Sequence, residues 1–448
     1  HSHLSKWPRV SKFLKDERER ITAKKEGFFA FDIGDACDRV HPLIEATDGK
    51  AMVRLLNDAH YDAATIGNNE GIGNSHSQLN ALYEEAEFPI VISNMFDITT
   101  GHYPNHTQPF EILTTPENQR IAVFGLTASY PLSYVPNGWA IKDPMESIAE
   151  ILELVSPFAD TIVLLSHLGI QYDRQIAEMF PSIDVIIGSH THHLLPNGEK
   201  IRNSLLAAAG KYGEYVGHIV LEMENGRMKK IKAEVFPFES LPLSLGEKKK
   251  ADMYLKEGHE LLHQQEVAYL PEKLPIKWQG KSALIEVGLE AVKEYAKTDA
   301  ALLNAGLFMH SLPKGIVTND DLHDVLPHPM RIIRSTLTGE NLIRLVQELE
   351  KNRGYLRRFP IRGMGFRGEL FGEIVYSGME YNIKTGEITW HGKEIEREGF
   401  YTFATVDHLM YVPFFPTIEL RGENELLFPL FIRNVVGQYL KKHNPIKQ

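Results

Sequence analysis

Short apolar runs alternate with amphipathic stretches through the first half of this chain, and that rhythm limits the folds open to it. The runs fall at 28–33, 63–66, 89–92, 121–126, 161–165 and 184–187. Between them, residues 49–60 place Met52, Leu55, Leu56 and Ala59 on one helical face, and residues 143–155 do the same with Met145, Ile148, Leu152 and Val155. Strands in alternation with helices predict a layered α/β domain. Toward 217–221 and 231–236 the pattern changes to one expected of antiparallel strands.

The composition breaks near 237–242. Residues 246–265 are charged, helix-prone and poor in apolar side chains, which predicts a surface linker helix whose lysines at 248–250 form a solvated face. A second domain is expected from residue 266. It should hold a helix at 282–296, a strand at 300–304, a helix at 338–351 capped by Thr338 with Leu342, Leu345 and Leu349 on one face, and a final helix near 428–441. A chain of 448 residues, 43% of them hydrophobic, can bury more than one core.

Charge and composition narrow the function. The net charge of −11 argues against nucleic-acid binding through a broad basic surface. No apolar run approaches the roughly 18 residues of a membrane span. Cys37 is the only cysteine, so an internal disulfide framework is ruled out. This fits a reducing compartment, and a cytoplasmic location is the expectation.

Four of the apolar runs end in the same chemistry. "FFAFDIGD" delivers Asp35, "YDAATIGNNE" delivers Asn68, "DTIVLLSHLG" delivers His167, and "IDVIIGSHTHH" delivers His190 and His192. Each residue alone has an ordinary explanation as a turn or core residue. Together they stand where open α/β sheets carry ligand sites, at the carboxyl ends of strands. Imidazoles with carboxylate and amide oxygens suit Zn, Mn, Fe or Co better than a soft all-thiolate set would. His193 reads as a neighbour facing away.

The set GD…GNxE…SHLG…GxHTH resembles the calcineurin-like metallophosphoesterases. The whole chain resembles their two-domain bacterial 5′-nucleotidase branch, which includes 2′,3′-cyclic-nucleotide phosphodiesterase-like proteins. Further matches are "GKAMVRLLNDAHYDAATIGN", "SN" at 93–94, "LLNAG" at 302–306 and "VLP" at 325–327. The resemblance implies an N-terminal α/β/β/α sandwich over 1–243 and a linker helix over 244–265. It implies a C-terminal α+β domain of 5′-nucleotidase type over 266–448 that binds substrate. It also implies two divalent metal ions. His1, in the opening "HSHL", would hold one with Asp35, His192 and an aspartate two positions before residue 1. Asn68, His167 and His190 would hold the other, with Asp35 bridging. The implied reaction is hydrolysis of nucleotides or similar small phosphate esters by in-line attack of metal-bound hydroxide. The implied partner is the small-molecule substrate, without nucleic acid or membrane.

Three departures from that family stand out. Its third motif usually reads Gly-Asn-His, whereas here Asn69 follows Asn68 and takes the place of the catalytic histidine. An amide donates hydrogen bonds but transfers no proton near neutral pH. Three readings stay open: a substrate with a good leaving group, replacement by His193, His76 or His41, or a protein that binds metal or nucleotide with weak or no catalysis. In the second domain Met309 stands where the family has an arginine, and His328 replaces an aromatic that stacks on the base. Asn304, with Phe414 and Phe415 of "MYVPFFPT", remains a candidate substrate contact; Tyr411 is a further stacking candidate.

Overall fold

The structure is a computed structural model that describes residues 3–224, 227–361, 363 and 365–446. His1, expected as a metal ligand, lies outside the described residues. The chain divides into two compact units, His1–Gly258 and His259–Gln448.

In the first unit the strands Arg120–Thr127, Thr161–His167, Val185–Gly188 and Ser204–Ala207 run parallel in that order. Phe110–Thr114 and Glu199–Ile201 close the two edges antiparallel. The central strands are apolar on both faces because both faces are covered. Ala122, Phe124, Leu126, Ile162 and Leu164 meet one core, which also contains Ile148, Ile151 and Val155 of the helix Pro144–Val155 and Ile176 of the helix Ile170–Met179. The alternate residues Ile121, Val123, Val163 and Leu165 meet a second core with Ala63, Val91, Phe31 and Ile33. Period-two alternation thus sorts one strand's side chains into two cores. Fully burying each such Val, Ile or Leu contributes about 1.5–3 kcal/mol.

The second core is closed by a smaller layer. Phe31–Asp32 pairs in parallel with Ala63–Ala64, and Ala64 bridges to Ile90. The antiparallel pair expected beyond residue 215 is present as Tyr215–Glu224 with Arg227–Pro237. Asp143 caps the helix Pro144–Val155 by accepting from the N–H groups of Met145 and Glu146. The charged stretch forms the helix Glu247–His263.

The second unit has a five-stranded sheet ordered Ile374–Ser377, Ala300–Asn304, Phe400–Val406, Arg331–Thr338 and Glu423–Phe431. Its core takes Leu284, Leu289 and Val292 from the helix Ala283–Ala296, and Leu342, Leu345 and Leu349 from Gly339–Leu356. Thr338 caps the latter helix by accepting from the Asn341 N–H. The last helix is Ile432–His443, four residues later than its expected start. Residues up to Phe431 are held in the sheet, where Arg331 pairs with Phe431 and Ile332 with Leu427.

Candidate metal centre

Parallel register brings the chemistry to one edge. His167 ends its strand level with Thr127, and Gly188 lies level with Ser166, which puts the Ser189–His192 turn beside His167. In the smaller layer, Asp35 and Asn68 each follow a paired strand, through Gly34 and Gly67. These two glycines let the loops touch backbone to backbone. A Cβ on Gly67 would lie 2.4 Å from the Asp35 nitrogen, and one on Gly34 would lie 2.5 Å from the Gly67 nitrogen.

One carboxylate fastens the two loops. Glu70, 1% exposed, accepts from the N–H groups of Asp35 (2.8 Å), Cys37 (2.8 Å) and Gly67 (2.9 Å). The Asn69 N–H then donates to Asp35 Oδ1 at 2.7 Å. Asp35, His190 and His192 all have left-handed φ, at 66°, 71° and 57°. For residues other than glycine this costs on the order of 1–2 kcal/mol each, strain of the kind that gathers at functional sites.

The donor atoms converge. One ligand atom from each of Asp35, His167 and His190 lies within 4.8 Å of the others. His167 is fully buried, and its Nδ1 stands 2.7 Å from the Ile33 carbonyl oxygen. A carbonyl only accepts, so Nδ1 carries a hydrogen, and Nε2 is the nitrogen left to face the cluster. That Nε2 lies 3.3 Å from both Asp35 Oδ2 and Asn68 Oδ1. His190 Nδ1 lies 3.0 Å from the same Asn68 oxygen. The second asparagine has a place here: Asn68 Nδ2 donates to Asn69 Oδ1 at 3.4 Å, which turns the Asn68 oxygen toward the histidines.

Electrostatics fit a cation. Burial disfavours a charged Asp35, but His167 and the Asn69 N–H outweigh it and hold the carboxyl below its usual range. Burial also disfavours a charged His167, yet Asp35 overrides it and raises that imidazole to about 9. The buried carboxylate thus draws a proton onto its neighbour as compensation. A divalent ion would displace that proton, as metal ions do on binding histidine. Burial, with His167, lowers the pKa of His190, which favours the neutral ring a metal needs.

His192 is half-exposed and feels the Asp35 charge, but it is not one of the three residues whose ligand atoms share the 4.8 Å cluster. The proposed replacements for the absent histidine are engaged otherwise. His41 caps a helix by accepting from the Leu43 N–H, and His76 pairs with Asp97 at 2.7 Å and stacks on Trp139. His193 is exposed and contacts Thr191 Oγ1.

In the second unit Asn304 is buried. Its Nδ2 donates to the Phe371 carbonyl, while its Oδ1 has no hydrogen-bond partner among the described residues. His328 is fully buried, with Nε2 2.7 Å from the Leu307 carbonyl oxygen, Nδ1 accepting from the Arg367 N–H, and its ring stacked on Phe366. Burial drives its pKa down to about 3. Phe415 is fully buried against Phe371. Phe414 is half-buried, edge-on to Phe359 and near the exposed Tyr355. Of the aromatic candidates at 414 and 415, Phe414 therefore keeps an open surface and Phe415 does not.

Two residues that hold this cluster were given no role by sequence reasoning. Glu70 carried a local signal, since an acidic residue three positions after the N-cap Gly67 can accept from the Gly67 backbone N–H. Tyr130 carried none: its hydroxyl lies 2.7 Å from His190 Nε2, across 60 positions of chain.

The chain is 37% identical to the metallophosphoesterase YunD of Bacillus subtilis, over 98% of this chain and 96% of that protein. The chain belongs to the metallophosphoesterases. By family it is a phosphoric-ester hydrolase. Residues 267–411 match the family "5'-nucleotidase, C-terminal domain". The trifunctional nucleotide phosphoesterase protein YfkN of Bacillus subtilis is 26% identical over 66% of this chain, which spans 23% of that longer protein. The solved structure of the Haemophilus influenzae NAD nucleotidase NadN superposes with a TM-score of 0.63 at 16% identity, covering 98% of this metallophosphoesterase and 90% of the other chain, a likeness of fold. The expected two-domain architecture, a calcineurin-like α/β unit and a 5′-nucleotidase-type α+β unit, agrees with these relations. No helix among the described residues is long and apolar enough to cross a membrane.

Proposed function

We propose that this metallophosphoesterase hydrolyses nucleotides or related small phosphate esters at a dinuclear centre. Residues 1–243 would carry the centre, 244–265 a linker helix, and 266–448 the substrate-binding domain. The observation that carries the reading is the convergence of Asp35, Asn68, His167 and His190, with Nε2 of His167 already turned toward Asp35 and Asn68. These four would hold one ion. Asp35, His192 and His1 would hold the other, with Asp35 shared. Divalent cations, when bound, supply Lewis acidity toward the phosphoryl oxygens and lower the pKa of water.

The protein's own groups set what that centre can do. Asp35 offers a buried carboxylate that accepts from the Asn69 N–H, on a loop whose own Asp35 N–H donates to Glu70. Asn69 can donate a hydrogen bond to a phosphoryl oxygen but passes no proton to a leaving group. Substrates whose leaving groups depart without an acid are therefore favoured. Asn304 and Phe414 are the proposed contacts in the second unit, with His328 and Phe415 supporting from within the core. The match to the 5′-nucleotidase C-terminal domain and the nucleotide specificity in the name of YfkN support a nucleotide-type substrate.

Asn69 and Met309 also favour a second reading, a protein that binds metal or nucleotide with little catalysis. Hydrolysis of p-nitrophenyl phosphate, bis-p-nitrophenyl phosphate and a panel of nucleotides, cyclic nucleotides and sugar phosphates with added Mn²⁺ separates the two. Metal-dependent turnover of a nucleotide supports the first. Tight nucleotide binding without turnover of any substrate overturns it in favour of the second.

A further inference from the structure

His167 and His190 are built as a pair. Each turns one nitrogen toward the Asn68 oxygen, and each has a partner for the other nitrogen. For His167 that partner is a backbone carbonyl. For His190 it is a side chain, the hydroxyl of Tyr130, 2.7 Å from Nε2 with the ring centroids 5.8 Å apart.

The position of Tyr130 is fixed from its own side. Asn94, fully buried, accepts from the Thr127 N–H and donates to the Thr127 carbonyl, which anchors the end of the preceding strand. The Tyr130 carbonyl accepts from the N–H groups of Ser133 and Tyr134 at the start of the helix Pro131–Tyr134. Tyr134 is fully buried against Gly71, where a Cβ would lie 2.8 Å from its ring and hydroxyl. That packing ties this turn to the Asn68–Gly71 helix, which carries Asn68 itself. The loop is thus held from both ends before any ligand enters.

We propose that Tyr130 is a positioning residue of this metal centre. Its hydroxyl holds the His190 ring at Nε2 so that Nδ1 faces Asn68; with a divalent ion on Nδ1 the imidazole would carry its hydrogen on Nε2, and the hydroxyl oxygen would receive it. A neutral imidazole carries one hydrogen on one of two nitrogens, and the hydrogen bond at the outer nitrogen decides which one is left to bind a metal. The proposal rests on the metal-centre reading given above. Removal of such an outer partner typically weakens metal affinity or activity about 10–100-fold.

The test is Tyr130→Phe in the full chain. Tyr130 is 39% exposed, so the substitution removes a hydroxyl at the surface and leaves no cavity in the core. Mn²⁺ affinity is measured by equilibrium dialysis. The His190 tautomer is read from long-range ¹H–¹⁵N spectra of protein labelled at histidine, with His190→Gln identifying the signals. Wild type loaded with diamagnetic Zn²⁺ should show hydrogen on Nε2 of His190. The variant should lose at least tenfold in Mn²⁺ affinity, with that tautomer no longer dominant and the thermal midpoint unchanged. If wild type binds Mn²⁺ and the variant binds it equally, with the same His190 tautomer, this proposal is overturned and the metal centre stands. If wild type binds no divalent ion, the metal-centre reading fails and takes this proposal with it.

Discussion

The carboxylate of Glu70 receives the backbone N–H of Asp35 at 2.8 Å, although 35 positions separate the two residues. The same carboxylate takes the N–H groups of Cys37 and Gly67, so it is the clasp between two loops that each carry a proposed metal ligand. Glu70→Gln would leave these three donors with one acceptor oxygen and turn an NH₂ group toward them. A loss of about 2–4 kcal/mol is expected, together with weaker metal binding. Urea unfolding and metal titration of the purified variant check both. A stability equal to wild type would mean that the loops hold without the clasp.

Asp35→Ala should abolish turnover and most bound metal. The variant removes the only carboxylate of the described cluster, and with it the charge that both ions would share. Elemental analysis after gel filtration is the readout. Wild-type metal content in the variant would refute the sharing of Asp35.

Asn69→His should raise kcat and kcat/KM together, by about 10²-fold for substrates with poor leaving groups, with little change in KM. A proton donor acts on charge that develops only as the bond breaks. The gain should shrink for p-nitrophenyl phosphate, whose leaving group needs no acid. A change confined to KM would make position 69 a ground-state contact.

Asp173 supplies a pH test. It is 2% exposed, and the Ser166 hydroxyl donates to it beside His167. Burial raises its carboxyl from 3.8 to about 7, against the opposing pull of that hydroxyl. The folded chain therefore keeps a proton that the unfolded chain releases. The stabilisation is complete below about pH 4 and is lost as the pH rises to about 7, on the order of 1.4 kcal/mol per unit. Asp173→Asn keeps an acceptor for Ser166 and removes the titration. Relative to wild type, its stability should rise between pH 5 and about pH 7 in urea melts. A difference that stays constant with pH would assign the proton elsewhere.

Much of this molecule was legible in its sequence. Strands buried on both faces read as continuous apolar runs, and the residues that follow them stand at one sheet edge in any parallel arrangement. Asp35, Asn68, His167 and His190 could be picked out for that reason. The doublet at Asn68 and Asn69 marked the departure from the family, because the side chain itself sets what proton chemistry is possible. Helix faces and the Thr338 cap were local signals too, settled within a turn or two of chain.

What tertiary structure alone decided are relations across long separations. No periodicity indicates that Glu70 would clasp residue 35, that the Ile33 carbonyl would hold Nδ1 of His167, or that Tyr130 would meet His190. Nor could composition separate Phe414, which keeps an open face, from Phe415, which is enclosed. Sequence patterns report which face of an element is apolar, because that depends on near neighbours. Which hydrogen faces which oxygen depends on how two layers settle against each other, and no single segment contains that information.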